Sequence, residues 1–195
     1  MNDRKLLIIP LLLLAASLLF LVEQGGVLWQ SVAAGKYCDR LTVATVRGED
    51  LTINNPERDR GVPPELRDSR SPAEIKESAL HQELLFREAC SQGFRADGQE
   101  VDGYIAEVRE GLAADPELYA YHLEELEWLG LSEDEYWEAV WPVYEKLLTN
   151  GVYYRRLEAE YWKAHQQAGG ESCFEDYYQD VYLPELFRKY DVILK

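Results

Sequence analysis

The sequence predicts a mainly α protein: about five helices, a small two-stranded sheet pairing an N-terminal strand with the C-terminal strand, and an N-terminal transmembrane helix. Three observations carry this reading. Helix start and stop signals recur in regular order from Ser71 onward. Two β-prone runs, Thr42–Arg47 and Val192–Leu194, lie at opposite ends of that helical stretch. An uncharged apolar run, Leu6–Val22, follows Arg4 and Lys5.

The apolar run has 17 residues, and at the helical rise it would span about 26 Å, close to a hydrocarbon core. Two readings compete: a cleaved signal peptide with "SVAA" (Ser31–Ala34) as its small-residue site, or an uncleaved signal anchor. The run is longer than an ordinary signal-peptide core, and Glu23 and Gln24 separate it from the small residues, which favours the anchor. The basic flank stays in the cytoplasm in either case, so the remainder is exported. The expected organisation is a cytoplasmic tip and signal anchor over residues 1–30, a linker over 31–40 and one helical domain over 41–195. The expected place is the outer face of the cytoplasmic membrane, or outside it altogether if the leader is cut.

Within the domain, "TVATVRGEDLT" (Thr42–Thr52) reads as one strand, Thr42–Arg47, ended by a glycine-containing turn. A lone strand leaves backbone groups unpaired, and "DVILK" at the far end is its obvious partner. "INNPERDRGVPPELRDSRS" reads as an irregular connection because it holds three prolines and many charges. The helices follow. Ser71 caps the first, with Pro72 at its first position, Glu74 closing a capping box and Gly93 ending it. Ile75, Ala79, Leu80, Leu84 and Leu85 form its apolar side. Asp97 with Glu100 starts the second, where Val101, Tyr104, Ile105, Val108 and Leu112 share one face. Asp115, Pro116 and Gly130 bound the third. Ser132 with Glu135 opens a long fourth helix running to about His165, which Pro142 should kink. Ser172 with Glu175 opens the last, which Pro184 bends or splits.

Composition narrows the function. Apolar residues make up 47% of the chain, enough for a real core. The formal net charge of −16 repels phosphate backbones and sets nucleic-acid binding aside. Cys38, Cys90 and Cys173 are widely spaced, without CxxC or a Cys/His cluster, so no zinc signature exists. One disulfide is compatible with an exported chain. His81, His122 and His165 fall in three different helices, and neither "HQELL" nor "HLEEL" carries the second histidine of a zinc hydrolase. No nucleophile elbow, P-loop or dinucleotide fingerprint occurs, and the carboxylates fit caps and solvated faces. The residues predict no enzyme, cofactor or metal.

Aromatic residues are the unusual feature. Trp128, Tyr136, Trp137, Trp141 and Tyr144 crowd one region, and 137, 141 and 144 are at helical spacing. A stripe of this kind is ordinarily core. The functional alternative is a peptide-binding cradle, since Tyr and Trp combine apolar area with a polar handle. These five are the candidate peptide-binding residues. More aromatics follow at Tyr153, Tyr154, Tyr161, Trp162, Tyr177, Tyr178, Tyr182 and Tyr190.

Three segments together resemble a known family. "VATVRGEDLT" resembles the "VAxVNGxxIT" opening of the N-terminal domain of SurA and PrsA, bacterial extracytoplasmic folding factors. "ALHQELLFREACSQGFRADGQEVDGYIAEVRE" is similar to the next part of that domain, matching at Ala79, Leu80, Leu84, Leu85, Glu88, Ala89, Gly93, Glu100, Val101, Asp102 and Ile105. "LGLSEDEYWE" (Leu129–Glu138) looks like a third piece, in the same order. The resemblance covers roughly residues 41–195 and implies a helical chaperone module whose first strand and terminal segment come together. It departs from the family in three places. "HQQAGGESC" (His165–Cys173) is too short to hold the inserted parvulin isomerase domain, so isomerase activity is not implied. The proline-rich stretch after Thr52 stands where the family begins a helix, and Arg47 replaces the usual Asn.

The expected function is thus a membrane-anchored extracytoplasmic chaperone-like module that binds unfolded or partly folded exported proteins. The alternative is an adaptor or assembly subunit specific for one folded partner.

Overall fold

The computed structural model describes residues 38–59, 70–165 and 173–195. The expected transmembrane helix, the linker to residue 37 and Ser172 lie outside the described residues. Strand β1 (Cys38–Val46) is followed by β2 (Glu49–Asp59), α1 (Pro72–Ser91), α2 (Gly98–Ala114), α3 (Pro116–Leu129) and α4 (Glu133–His165). Next come α5 (Phe174–Tyr177), a π-helical stretch (Tyr178–Tyr182), α6 (Leu183–Lys189) and β3 (Val192–Leu194). Because α5, the π stretch and α6 adjoin, the described helices form five units, in the expected order.

The clasp between the two ends of the domain is present. β3 pairs antiparallel with β1 through Ala44↔Leu194, Thr45↔Ile193 and Val46↔Val192. The two-stranded expectation is corrected to three strands in the order β2-β1-β3. The turn after β1 does not end the sheet: Arg47 (φ 51°) and Gly48 (φ 81°) both adopt the left-handed region, the geometry of a tight hairpin turn. It sends the chain back as β2, so Ile53–Asp59 is strand and not irregular connection. Pro56 is tolerated because β2 lies at the sheet's border, where a missing N–H breaks no inner ladder. The register slips nearby, between Cys38↔Asp59 and Arg40↔Asn54. A second irregularity between Thr42 and Ala44 lets Val43 and Ala44 both be buried.

The helix boundaries follow local chemistry. Ser71 and Glu74 form a reciprocal capping box on α1, Asp97 and Glu100 on α2. Asp115 accepts from the Glu117 and Leu118 amides on α3, and the Glu135 carboxylate accepts from Ser132 N–H and Oγ before α4. At the end of α1, Gly93 (φ 80°) lets Phe94 N–H reach back to the Ala89 carbonyl at 2.9 Å. Gly130 does the same for α3, with Leu131 N–H on the Leu126 carbonyl. Pro142 sits inside α4, which runs on through it as one helix. Pro184 acts on the preceding turn instead. It has no N–H for the carbonyl four residues back, and Leu183 N–H bonds to the Tyr178 carbonyl with π-helical spacing. Cys173 stands at the cap position of α5 without a side-chain bond and Glu175 accepts from Tyr154 and Gln179, while the expected Ser172 cap lies outside the described residues.

Two main cores result, joined by α4. One holds Val101, Ile105, Leu126 and Leu129 against Tyr136, Trp137, Val140 and Tyr144. The other holds Ala44 and Val46 of β1, Leu80, Leu84, Leu85 and Ala89 of α1, Tyr153 and Tyr161 of α4, and Phe174, Tyr178, Leu183, Leu186 and Tyr190. Between them, Thr149 Oγ1 accepts from Ala96 N–H at 3.0 Å and Arg95 bonds to Glu145 at 2.8 Å.

Glu88 is buried in the second core and closes it. Its carboxylate accepts from Lys189 Nζ at 2.6 and 2.8 Å, from Tyr190 Oη at 3.0 Å and from Gln92 Nε2 at 3.1 Å. Tyr190 in turn accepts at its carbonyl from Arg47 N–H at 2.9 Å, and the Arg47 guanidinium lies 4.5 Å over its ring. The hairpin therefore meets the C-terminal segment at Tyr190, and Tyr190 and Lys189 meet α1 at the Glu88 carboxylate. Burial pushes the Glu88 carboxyl up, but the bonds from Lys189, Tyr190 and Gln92 and the Lys189 charge outweigh it and hold the group below its ordinary value. A depressed carboxyl stabilises the fold above its unfolded value near 4.5 and loses that contribution as pH falls through the folded value. Glu88→Gln is therefore expected to cost roughly 1–3 kcal/mol at pH 7 in denaturant titrations. Its deficit against the parent should shrink as the pH is lowered below about 4.5.

Candidate functional site

The five aromatics expected to form a cradle do not share an open surface. Tyr136, Trp137 and Tyr144 are 6%, 6% and 1% exposed and belong to the first core. The Tyr136 and Trp137 rings meet at right angles with centroids 5.3 Å apart, and the buried His122 ring abuts Tyr136 at 4.9 Å. Trp137 Nε1 donates to Glu133 at 3.3 Å. Trp128 and Trp141 are half-buried at the edge of this core, and Trp141 Nε1 donates to Asp102 Oδ1 at 2.9 Å. The cradle expectation is corrected for Tyr136, Trp137 and Tyr144. The helical spacing that suggested a face is real, but α2 and α3 cover that face. The later tyrosines pack the second core, whereas Trp162 is exposed: Tyr154 meets Phe174 and Tyr178 edge-on at 5.2 and 5.1 Å, and Tyr178 stacks on Tyr182 at 5.7 Å.

An open groove lies elsewhere, between α1 and the π-helical stretch. It encloses about 360 Å³. Glu74, Glu77, Ser78, His81, Gln82 and Leu85 line one wall, and Tyr178 and Gln179 the other, with Arg70 at one end. The α1 residues fall at i, i+3, i+4, i+7, i+8 and i+11, a single helix face. Leu85 and Tyr178 are its buried floor, Ser78, His81 and Gln82 are half-buried, and Glu74, Glu77 and Gln179 form an exposed rim. Arg70 donates to Ser78 Oγ at 3.1 Å. The π geometry positions the opposite wall, because Tyr178 and Gln179 stand in the turn that Pro184 disturbs. Burial pushes the His81 imidazole down, with Glu77 at 3.8 Å pulling the other way, and the balance favours the neutral ring. Burial and the Glu175 charge push the Tyr178 hydroxyl up to about 12, so it remains a neutral donor.

The arrangement offers an apolar floor, hydrogen-bonding walls and a rim of mixed charge. The sequence signal for it was the polar face of α1, which sits beside the apolar face in the helical pattern; its second wall depends on a π turn. Among the described residues no group of three or more His, Cys, Asp or Glu could hold a metal ion. Cys90 and Cys173 are free thiols, and burial pushes the Cys90 thiol up, away from activation. No helix among the described residues is long and apolar enough to cross a membrane.

No family model, no curated protein and no solved structure matches this chain. The likeness to the SurA and PrsA domain rests on the residues quoted above.

The burial of Trp137 makes a direct prediction. Trp137→Ala should cost about 3–5 kcal/mol in chemical denaturation, as for other large core deletions. Trp141→Phe, which keeps the half-buried ring and removes one partly exposed hydrogen bond, should cost no more than about 1.5 kcal/mol.

Proposed function

We propose that this chain is a non-enzymatic, chaperone-type module that holds extended or partly folded polypeptides at the outer face of the cytoplasmic membrane, tethered by its N-terminal segment. The observation that carries the reading is the groove between α1 and the π-helical stretch. An open trough with an apolar floor and hydrogen-bonding walls suits a polypeptide segment better than an enclosed small molecule. Its walls present Ser78, Gln82, Tyr178 and Gln179, which can serve varied sequences. The resemblance to extracytoplasmic folding factors, the apolar N-terminal run and the net charge of −16 support the same reading. An acidic body attracts basic clients and discourages self-association.

The test is suppression of aggregation. The full chain in detergent should keep several unrelated, chemically unfolded proteins in solution. Ser78→Trp, which fills the groove from its half-buried wall, should abolish that effect while far-UV circular dichroism and the melting temperature stay close to the parent's. If no unfolded protein is held, and one folded partner is instead captured stoichiometrically from membranes, the chain is an adaptor and the proposal fails.

A further inference from the structure

The border of the sheet at β3 has an unusual form. Lys195 N–H donates to the Val43 carbonyl at 3.0 Å, and Ile193 lies opposite Thr45. In an antiparallel ladder, backbone groups alternate in direction from residue to residue. Residues 193 and 195 therefore face β1, and the N–H and C=O of Val192 and Leu194 face away from it. Among the described residues no strand lies beyond β3. The side chains there are apolar and open, with Ile193 56% and Leu194 65% exposed. Proteins ordinarily guard such a border with charge, proline or a bulge. β2, at the other border, contains Pro56; β3 has no proline, charge or bulge within Val192–Leu194, and the charges of Asp191 and Lys195 stand only at its two ends.

We propose that β3 is a docking edge that takes one strand of another polypeptide by main-chain pairing, and that the strand it accepts alternates apolar with basic residues. The proposal deepens the polypeptide-holding reading above and rests on it for the kind of partner. Pairing through Val192 and Leu194 reads backbone, which varied clients share, while the exposed Ile193 and Leu194 side chains select apolar neighbours. The charge selects the rest: 36 acidic against 20 basic residues favour a cationic segment and oppose a second copy of this chain. The edge is also preorganised. Tyr190, two residues before β3, is pinned by Glu88 and by Arg47 N–H, so a docking strand meets a fixed template. Three residues make a short template, and the expected binding is weak and reversible.

The test uses the full chain in detergent and a labelled peptide of alternating valine and lysine. Fluorescence anisotropy should show salt-sensitive binding, and hydrogen exchange read by NMR should show the Val192 and Leu194 amides gaining protection when peptide is added. Leu194→Pro removes one outward N–H and leaves the bonds to β1 in place, because proline is compatible with a border strand. It should weaken binding about tenfold, whereas Leu123→Lys, at an exposed apolar site on α3, should leave it unweakened. A peptide N-methylated along one edge should not bind. Undiminished binding by folded Leu194→Pro, or by the N-methylated peptide, overturns the proposal. So does protection of the Val192 and Leu194 amides before peptide is added, which means that a second copy or another part of this chain already covers the edge. If Leu194→Pro does not fold, the N-methylated peptide and the amide protection decide. A chain that ignores the peptide yet keeps unfolded proteins soluble loses the edge and retains the groove. A chain that binds the peptide but holds no unfolded protein does the reverse.

Discussion

Glu88 is a carboxylate taken out of water in the last turn of α1, and it is tolerated because three donors converge on it, Gln92 from the C-cap of α1 and Lys189 and Tyr190 from the end of the domain. Removing those donors would strand a buried charge, so α1 and the Lys189–Tyr190 corner must stay together. The consequence reaches the sheet. Tyr190 accepts from the Arg47 amide, which lies in the hairpin turn, and Asp191 adopts the left-handed region (φ 48°) to aim the chain along β1. The placement of β3 thus follows from a side-chain contact in the helical layer. The carboxylate is buried while Lys189 stays exposed, so the pair adds less to stability than to specificity. Its value here is that it defines one register for two segments far apart in sequence.

Helix α4 supplies the second constraint. Its 33 residues run through both cores, with Tyr144 filling one and Tyr153 the other. The half-buried rim between them is polar: Arg95 and Glu145, Lys146 and Glu83, Asn150 and the Gln82 carbonyl. Glu83 also holds Arg87, which reaches Glu49 of the hairpin at 3.0 Å. The groove wall on α1 and the β3 edge are therefore parts of one polar and apolar framework. That framework favours surfaces that are already formed when a polypeptide arrives, which lowers the ordering cost of a weak contact.

Much of this organisation was legible because it is local. Ser71 with Glu74, Asp97 with Glu100 and Ser132 with Glu135 satisfy their own amides within one turn, so a reader of residues can find them without tertiary knowledge. The β1–β3 pairing was legible from two β-prone runs with no other evident partner. β2 was not, because Asn54, Asn55 and Pro56 carry turn chemistry, and only its position at the sheet border makes that sequence acceptable as strand. The aromatic stripe shows the limit of periodicity. Trp137 and Trp141 are one turn apart, yet one is core and the other sits half-exposed beside Asp102. Spacing reports a shared face, and only the neighbouring helices decide whether that face is covered. His122 belongs to the same class: it is 5% exposed with Nε2 unpartnered, and nothing in "YHLEEL" marks it as buried.

The Glu88–Tyr190 corner closes the hairpin, α1 and β3 into one cooperative unit. Native-state hydrogen exchange across a denaturant series tests it most directly, by comparing the Arg47 and Ile193 amides with those of Leu84 and Ala89 inside α1. In one cooperative unit all four exchange through the same global opening, with free energies and denaturant slopes that converge. Exchange of Arg47 and Ile193 through a separate, denaturant-independent opening, while Leu84 and Ala89 stay protected, would contradict it.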